Sequence, residues 1–381
     1  MSIYLDYNAT APVDERVLTV MVECFHNHFG NPDSRTHDFG EDARQQVELA
    51  REQVAHLLGV KKDEVFFTSG ATESNNMAIL GIKDYAIKNN KKHIITTTIE
   101  HKAILGAVDQ LRNDGFKIDF LEPDSSGRIK IEELKSLLKE DTALVSTMHV
   151  NNETGIIQPV DEIGKLLDKA GVLFHIDATQ SCGKLVEEIR NLKFDMMSIS
   201  AHKMHGPQGV GALVLRKKKY KLPPLKPIMF GGHQEHGLRP GTLPVALIAG
   251  FGKACELASV EYRKNEQHCL EIKKILLELL DSVGLHYKIN GDQNWCVNNT
   301  LNVSFGVPSE AVMLSTKKYC SLSNGSACTS QDYSLSHVLQ SMKLPQEQIK
   351  SAIRISWGYD TDIIEFKTDM RLFLNTVKRL T

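Results

Sequence analysis

The stretch VLFHIDATQSCGKLVEEIRNLKFDMMSISAHKMHGPQGVGALVLR, residues 172–216, decides the fold class of this chain. It holds three apolar runs, VLFHIDA (172–178), FDMMSIS (194–200) and GALVLR (211–216). Runs this short and this continuously apolar predict strands buried on both faces. EVFFTSG (64–70), HIITTTIE (93–100) and ALVSTMHV (143–150) repeat the pattern upstream. Between the runs lie helical patterns: FGEDARQQVELAREQVAHLLG (39–59), SNNMAILGIKDYAIKN (74–89), IEELKSLLKE (131–140) and VDEIGKLLDKAG (160–171). This alternation predicts an α/β fold, a mostly parallel sheet with helices on both faces. Ligands of such sheets collect beyond the carboxyl ends of the strands. The chemically capable residues of this sequence fall at those ends.

A chain of 381 residues exceeds the usual size of one core, so two packed regions are expected. The pattern changes after about residue 255. A long helical stretch, 256–283, precedes TLNVSF (300–305), KKYCSLS (317–323) and AIRISWG (352–358). We therefore expect a large domain over 15–258 and a smaller α+β domain built from 1–14 and 259–381. Hydrophobic residues make up 41% and charged residues 24%, as in an ordinary soluble protein. A formal net charge of -2 supplies no field for nucleic acid or an acidic membrane. No apolar run reaches membrane-spanning length, and MSIYLDYNATAP reads as no secretory signal. Seven scattered cysteines without a C-x-x-C pair argue against a disulfide framework or zinc ribbon. No metal site is expected, and a reducing cytoplasm is the expected compartment. RKKKYK (216–221) reads as a solvated hairpin end or as a docking patch.

Three strand ends stand out. FFTSGATESNN (66–76) runs from a strand through a glycine turn into a helix, offering the N–H groups of Gly70, Ala71 and Thr72 to a phosphate. The same residues also read as a plain capped helix, with Thr72 or Ser74 as the cap. Asp177 ends an apolar strand, where a carboxylate needs a partner. It is either a cap or the counter-ion of a protonated ring nitrogen, the role a carboxylate takes beside pyridoxal phosphate. Lys203 follows the strand FDMMSIS between His202 and His205, neighbours expected to depress its amine pKa for Schiff-base chemistry. Ser200 and His202 add phosphate donors. A fourth feature is Cys328 in SNGSACTS (323–330), a thiol among small and polar residues that match no buried face.

Taken together these segments resemble the NifS-like cysteine desulfurases, class V enzymes of the pyridoxal-phosphate-dependent transferase fold type I. The resemblance runs nearly end to end. It rests on YLDYNATAP (4–12), GNPDSRTHDFG (30–40), FTSGATESNN (67–76), IEHKA (99–103), VNNETG (150–155), HIDATQSCGK (175–184), SAHKMHGPQGVGAL (200–213), GGHQEHGLRPGTLPV (231–245), SNGSACTS and IRISWG (353–358). It implies a seven-stranded sheet in the large domain. It implies that Lys203 carries pyridoxal 5'-phosphate, that Asp177 partners the ring nitrogen, and that Gln180 lies near the ring hydroxyl. His101 is then the imidazole stacked on the ring, and Ser200, His202 and Thr72 are phosphate ligands. Thr242 reaches the phosphate of a partner subunit, which implies a homodimer. Asn152, Arg354 and Asn31 become substrate-binding residues, and Cys328 the persulfide-forming nucleophile.

The implied reaction converts L-cysteine to L-alanine. Lys203 removes the Cα proton, and the Cys328 thiolate takes the sulfur for delivery to an acceptor protein. Iron–sulfur assembly, tRNA thiolation and DNA phosphorothioation are the implied destinations, with no tight direct nucleic-acid binding by this near-neutral chain. The remaining cysteines are expected to be packing residues. The sequence departs from the family pattern at His233, His236 and Asn324. It also stops soon after Cys328, at TVKRLT (376–381), where some relatives continue into a scaffold-docking tail. A selenocysteine lyase, another pyridoxal-phosphate enzyme and a non-catalytic sulfur-relay subunit are the rival readings.

Overall fold

The computed structural model describes residues 2–324 and 335–381, so Cys328 lies outside the described residues. Seven strands form the main sheet: β1 (Val65–Thr68), β2 (His93–Thr97), β3 (Lys117–Leu121), β4 (Thr142–Met148), β5 (Leu173–Asp177), β6 (Met196–Ser200) and β7 (Gly211–Leu215). Their order is β1-β7-β6-β5-β4-β2-β3. All neighbours are parallel except β7, which runs antiparallel to β1 and β6. Six of these strands are the apolar runs of the sequence. β3 is the addition: it sits at the sheet edge with Lys117 exposed and Ile118, Asp119 and Phe120 half-buried, so its sequence lacks a continuous apolar signal.

Adjacent residues point to opposite faces of a strand, and β1 uses this to serve two cores. Phe67 packs with Val47, Val54, Phe174 and Phe251 on one face. Phe66 packs with Ile79, Ile104 and Leu111 on the other. β1 is also an edge strand, and its outward Phe67 N–H is satisfied by Glu235 Oε2 at 2.7 Å. Glu235 is in turn clamped by Arg51 through two hydrogen bonds of 2.9 and 2.7 Å. This clamp fixes the segment holding Glu235 and His236, both at positive φ, against the sheet.

A second core lies against an antiparallel sheet of Ala352–Ser356, Thr300–Ser304 and Lys288–Ile289. Leu276, Val303, Ile355, Trp357 and Phe373 fill it. The N-terminal strand Ile3–Tyr4 joins this region by pairing with Cys320–Ser321. One helix, Val245–Ser282, belongs to both cores: Ile248, Phe251 and Cys255 enter the first, Ile272, Leu276 and Leu280 the second. It begins earlier than its sequence pattern suggested, because Gly250 and Gly252 mimic a loop. Both are close-packing glycines. A Cβ on Gly250 would lie 2.6 Å from Met21, and one on Gly252 2.5 Å from the Ala50 backbone. The pattern 74–89 is two helices, Ala71–Gly81 and Lys83–Lys88, divided at Ile82.

Gly211 opens β7 where the turn after β1 crosses it. A Cβ there would lie 2.5 Å from Ile199 O and 2.8 Å from Gly70 Cα. Gly211→Ala must push the backbone apart at that crossing, at a cost of about 1–3 kcal/mol. Urea denaturation should register this as a lower midpoint with an unchanged slope.

Candidate active site

The strands β1, β2, β4, β5 and β6 deliver the residues that follow their carboxyl ends to one cavity of about 620 Å³. Lys203, Asp177, Gln180, His101, Ser200, His202, Thr72, Asn152 and Arg354 line it. Thr242 and Asn31 do not; both are exposed elsewhere on the chain.

The helix Ala71–Gly81 points its N-terminus into the cavity and is capped by Gly70, not by Thr72 or Ser74. A helix start leaves its first N–H groups without intrahelical acceptors, and here Ser200 and His202 stand beside them. Gly70 and Ser200 are close neighbours: a Cβ on Gly70 would sit 3.7 Å from Ser200 Oγ. His202 Nδ1 lies 3.1 Å from Thr10 Oγ1. Burial, aided by the Lys203 charge, pulls its pKa down to about 4. Burial likewise lowers His205, whose ring stacks 4.0 Å from Tyr359. Both imidazoles are therefore neutral at neutral pH. Neither imidazole therefore adds a positive charge beside Lys203 at neutral pH. Either tautomer of the neutral His202 ring can hydrogen-bond Thr10 Oγ1, and the one that accepts there carries its N–H on Nε2.

Asp177 sits at the end of β5, 5% exposed. Its Oδ2 accepts from Asn75 Nδ2 at 2.8 Å and its Oδ1 from the Thr179 N–H at 3.0 Å. Asn75 Oδ1 and Thr179 Oγ1 are buried with no partner of their own among the described residues. Lys203 ends a short 3₁₀ turn after β6, and its Nζ donates to the carbonyls of Asn8 and Ala9 at 2.7 and 2.6 Å. Gln180 Nε2 donates to the same Asn8 carbonyl at 2.9 Å. His101 caps the helix Lys102–Asn113, its Nδ1 accepting from the Ala103 N–H at 3.2 Å. Burial lowers its pKa against the opposing pull of Asp177.

Arg354 reaches the cavity from the smaller sheet. It donates to Asp6 Oδ1 at 2.6 Å and to the Asn152 carbonyl at 3.0 Å, while its buried Nε has no acceptor among the described residues. Its backbone pairs with Ser323: Arg354 N donates to Ser323 O at 2.7 Å. The strand that carries Arg354 thus also anchors Ser323, the first residue of SNGSACTS.

Sequence reasoning missed Asn8, Asn75 and Glu100. All three stood inside quoted motifs, but each has a partner far along the chain. Glu100 is completely buried beside His101, and its Oε1 accepts from Thr97 Oγ1 at 2.7 Å and Met148 N at 2.8 Å. Burial pushes its carboxyl up to about 8, so it adds no second negative charge near Asp177 at neutral pH.

A family model described as aminotransferase class-V matches residues 3–366. The chain belongs to that family. Among class-V relatives it is 43% identical over 360 residues to the cysteine desulfurase IscS of Vibrio vulnificus, covering 94% of this chain and 88% of that one. A solved NifS-like protein superimposes with a TM-score of 0.92 at 37% identity over the whole of both chains. DndA of Streptomyces lividans does so with a TM-score of 0.81 at 42% identity, covering 92% of this chain and 98% of that one. The chain is thus a class-V member of the NifS/IscS-like cysteine desulfurase group, with the mostly parallel seven-stranded sheet of that fold.

The Glu100 carboxyl gives a pH signature to this family member. Between its ordinary value of 4.5 and about 8, the unfolded chain is ionised there and the folded chain is not. Its contribution to stability is full below the unfolded value and is lost as pH rises through the folded one. Glu100→Gln removes that loss. Its urea midpoint should fall less than the wild-type midpoint from about pH 5 to about pH 8.

Proposed function

We propose that this chain is a pyridoxal-phosphate-dependent cysteine desulfurase that converts L-cysteine to L-alanine and leaves the sulfur as a persulfide on Cys328. The observation that carries the reading is the convergence of an amine, a carboxylate, a guanidinium and a helix N-terminus on one cavity. These are the kinds of group that would hold a phosphorylated pyridine. The helix start, Ser200 and His202 would hold the phosphate by neutral donors, and Asp177 would hold the ring nitrogen. Two unpartnered buried oxygens near that carboxylate, on Asn75 and Thr179, and the unpartnered Arg354 Nε leave polar capacity for ligands. The cofactor supplies an electron sink for the carbanion formed at the substrate Cα.

The protein's own groups supply the remaining steps. Arg354 and Asn152 orient the substrate carboxylate, with Asn31 as a further substrate contact. Lys203 Nζ accepts the Cα proton, and His101 handles protons at the ring and thiol. Cys328 Sγ then bonds to the substrate sulfur as the substrate C–S bond breaks. The electron pair of the broken bond stays with carbon, where protonation completes alanine. The choice of thiol has support from the other six cysteines, which are all buried. Burial pushes Cys182 and Cys269 up to about 12 and Cys24 to about 11, far from the reactive thiolate form.

In this reading residues 15–258 form the cofactor-binding domain, and 1–14 with 259–381 form the smaller one. The working unit is a cytoplasmic homodimer. Thr242 is exposed and outside its own chain's cavity, as suits a residue serving the partner subunit's phosphate. The persulfide passes to a sulfur-acceptor protein.

The deciding assay is alanine released from L-cysteine with reductant present. Cys328→Ala and Lys203→Ala should each lose roughly 10³-fold or more. Alanine at wild-type rate from Lys203→Ala would overturn the scheme. Arg354→Lys, which loses the forked donor geometry, should raise KM for L-cysteine by about 10–100-fold and change kcat less. Steady-state kinetics separate the two.

A further inference from the structure

A second and smaller cavity of about 140 Å³ shares Lys203 with the main one. Lys184, four residues beyond Gln180, lines it. Lys184 Nζ donates to Gln180 Oε1 at 3.3 Å. No carboxylate is ion-paired with it among the described residues. The titratable groups facing it are the thiols of Cys182 and Cys269 and the ring of His205. Burial lowers the Lys184 amine to about 8. An ammonium in protein surroundings without a counter-charge is costly, so what it touches demands an account.

What it touches is the oxygen end of one amide. Gln180 is 4% exposed, and its amide is held at both ends. Lys184 occupies Oε1, and one Nε2–H donates to the Asn8 carbonyl at 2.9 Å. An amide has two N–H donors, so one remains for the main cavity. The Asn8 carbonyl is shared with Lys203 at 2.7 Å. The Lys184 contact is therefore the one that ties down the oxygen.

We propose that Lys184 is a positioning residue that keeps the Gln180 amide turned with N–H, not carbonyl, toward the ring oxygen of the bound cofactor, favouring the ionised form of that oxygen. The proposal rests on the functional reading above. It gives Lys184 an effect on the cofactor without contact. Without Lys184, Oε1 loses its partner, the amide turns, and a nearby positive charge disappears. Each change favours the protonated form of the cofactor–lysine chromophore, so its pH midpoint must rise.

The test is a pH titration of the visible absorption band of full-length, cofactor-loaded protein. Lys184→Met should raise the midpoint by about half a unit or more. Lys184→Arg should restore it. Gln180→Ala should shift it in the same direction, and the double variant should shift by less than the sum of the two single shifts, since the two residues share the amide contact while the charge of Lys184 acts separately. Lys184→Gln, which keeps a donor without the charge, should fall between wild type and Lys184→Met, and it serves as the second probe if Lys184→Met fails to load. A wild-type midpoint in any loaded uncharged variant overturns the proposal. Absence of a visible band in wild type overturns the functional reading instead.

Discussion

The site depends on Asn8. This residue is 3% exposed and lies on neither sheet, yet it bonds to the smaller sheet and to the segments that follow three strands of the main one. Its side-chain amide donates to the Asn152 carbonyl and to Thr300 Oγ1, and its N–H donates to Ser356 Oγ. Its carbonyl receives Lys203 and Gln180. Five contacts from one residue join the second sheet, the strand end of Asn152 and the amine at the centre of the cavity. A buried polar network of this kind is stable only when its members are satisfied. Here the satisfaction of Asn8 and the alignment of the site are one event.

Charge is distributed with similar economy. The cavity faces an acid at Asp177, but the neighbouring Glu100 is held neutral by burial. The histidines beside Lys203 are also neutral. Positive charge reaches the cavity through Lys203 and through Arg354, which is already balanced by Asp6. An anion at the helix start would then meet N–H and O–H dipoles, which need no reorganisation when a ligand arrives.

Much of this was legible because buried parallel strands are continuous apolar runs, and the residues that follow them are the site. Asp177, Ser200, His202 and Lys203 could be read straight from strand ends. β3 could not, since an edge strand keeps polar residues on its open side. The start of Val245–Ser282 was hidden by two glycines whose reason is the contact they permit, visible only once Met21 and Ala50 are in place. Asn8 and Glu100 were illegible for a related cause. Their roles lie in partners brought together by folding, and a single position carries no trace of them. The cap at Gly70 shows the same limit: Thr72 and Ser74 had the better side chains, but the turn required a residue at φ 150°.

The helix shared by the two cores sets a limit on how this molecule can be divided. At 1.5 Å per residue its 38 residues span about 57 Å. Severed near its middle, one half would leave Ile248, Phe251 and Cys255 on an unsupported stub, and the other would bare Ile272, Leu276 and Leu280 to water. Neither product keeps a closed interior. Natural recombination could therefore exchange surface loops of such a chain, but not swap one lobe for that of a distant cousin. Its two lobes are inherited together.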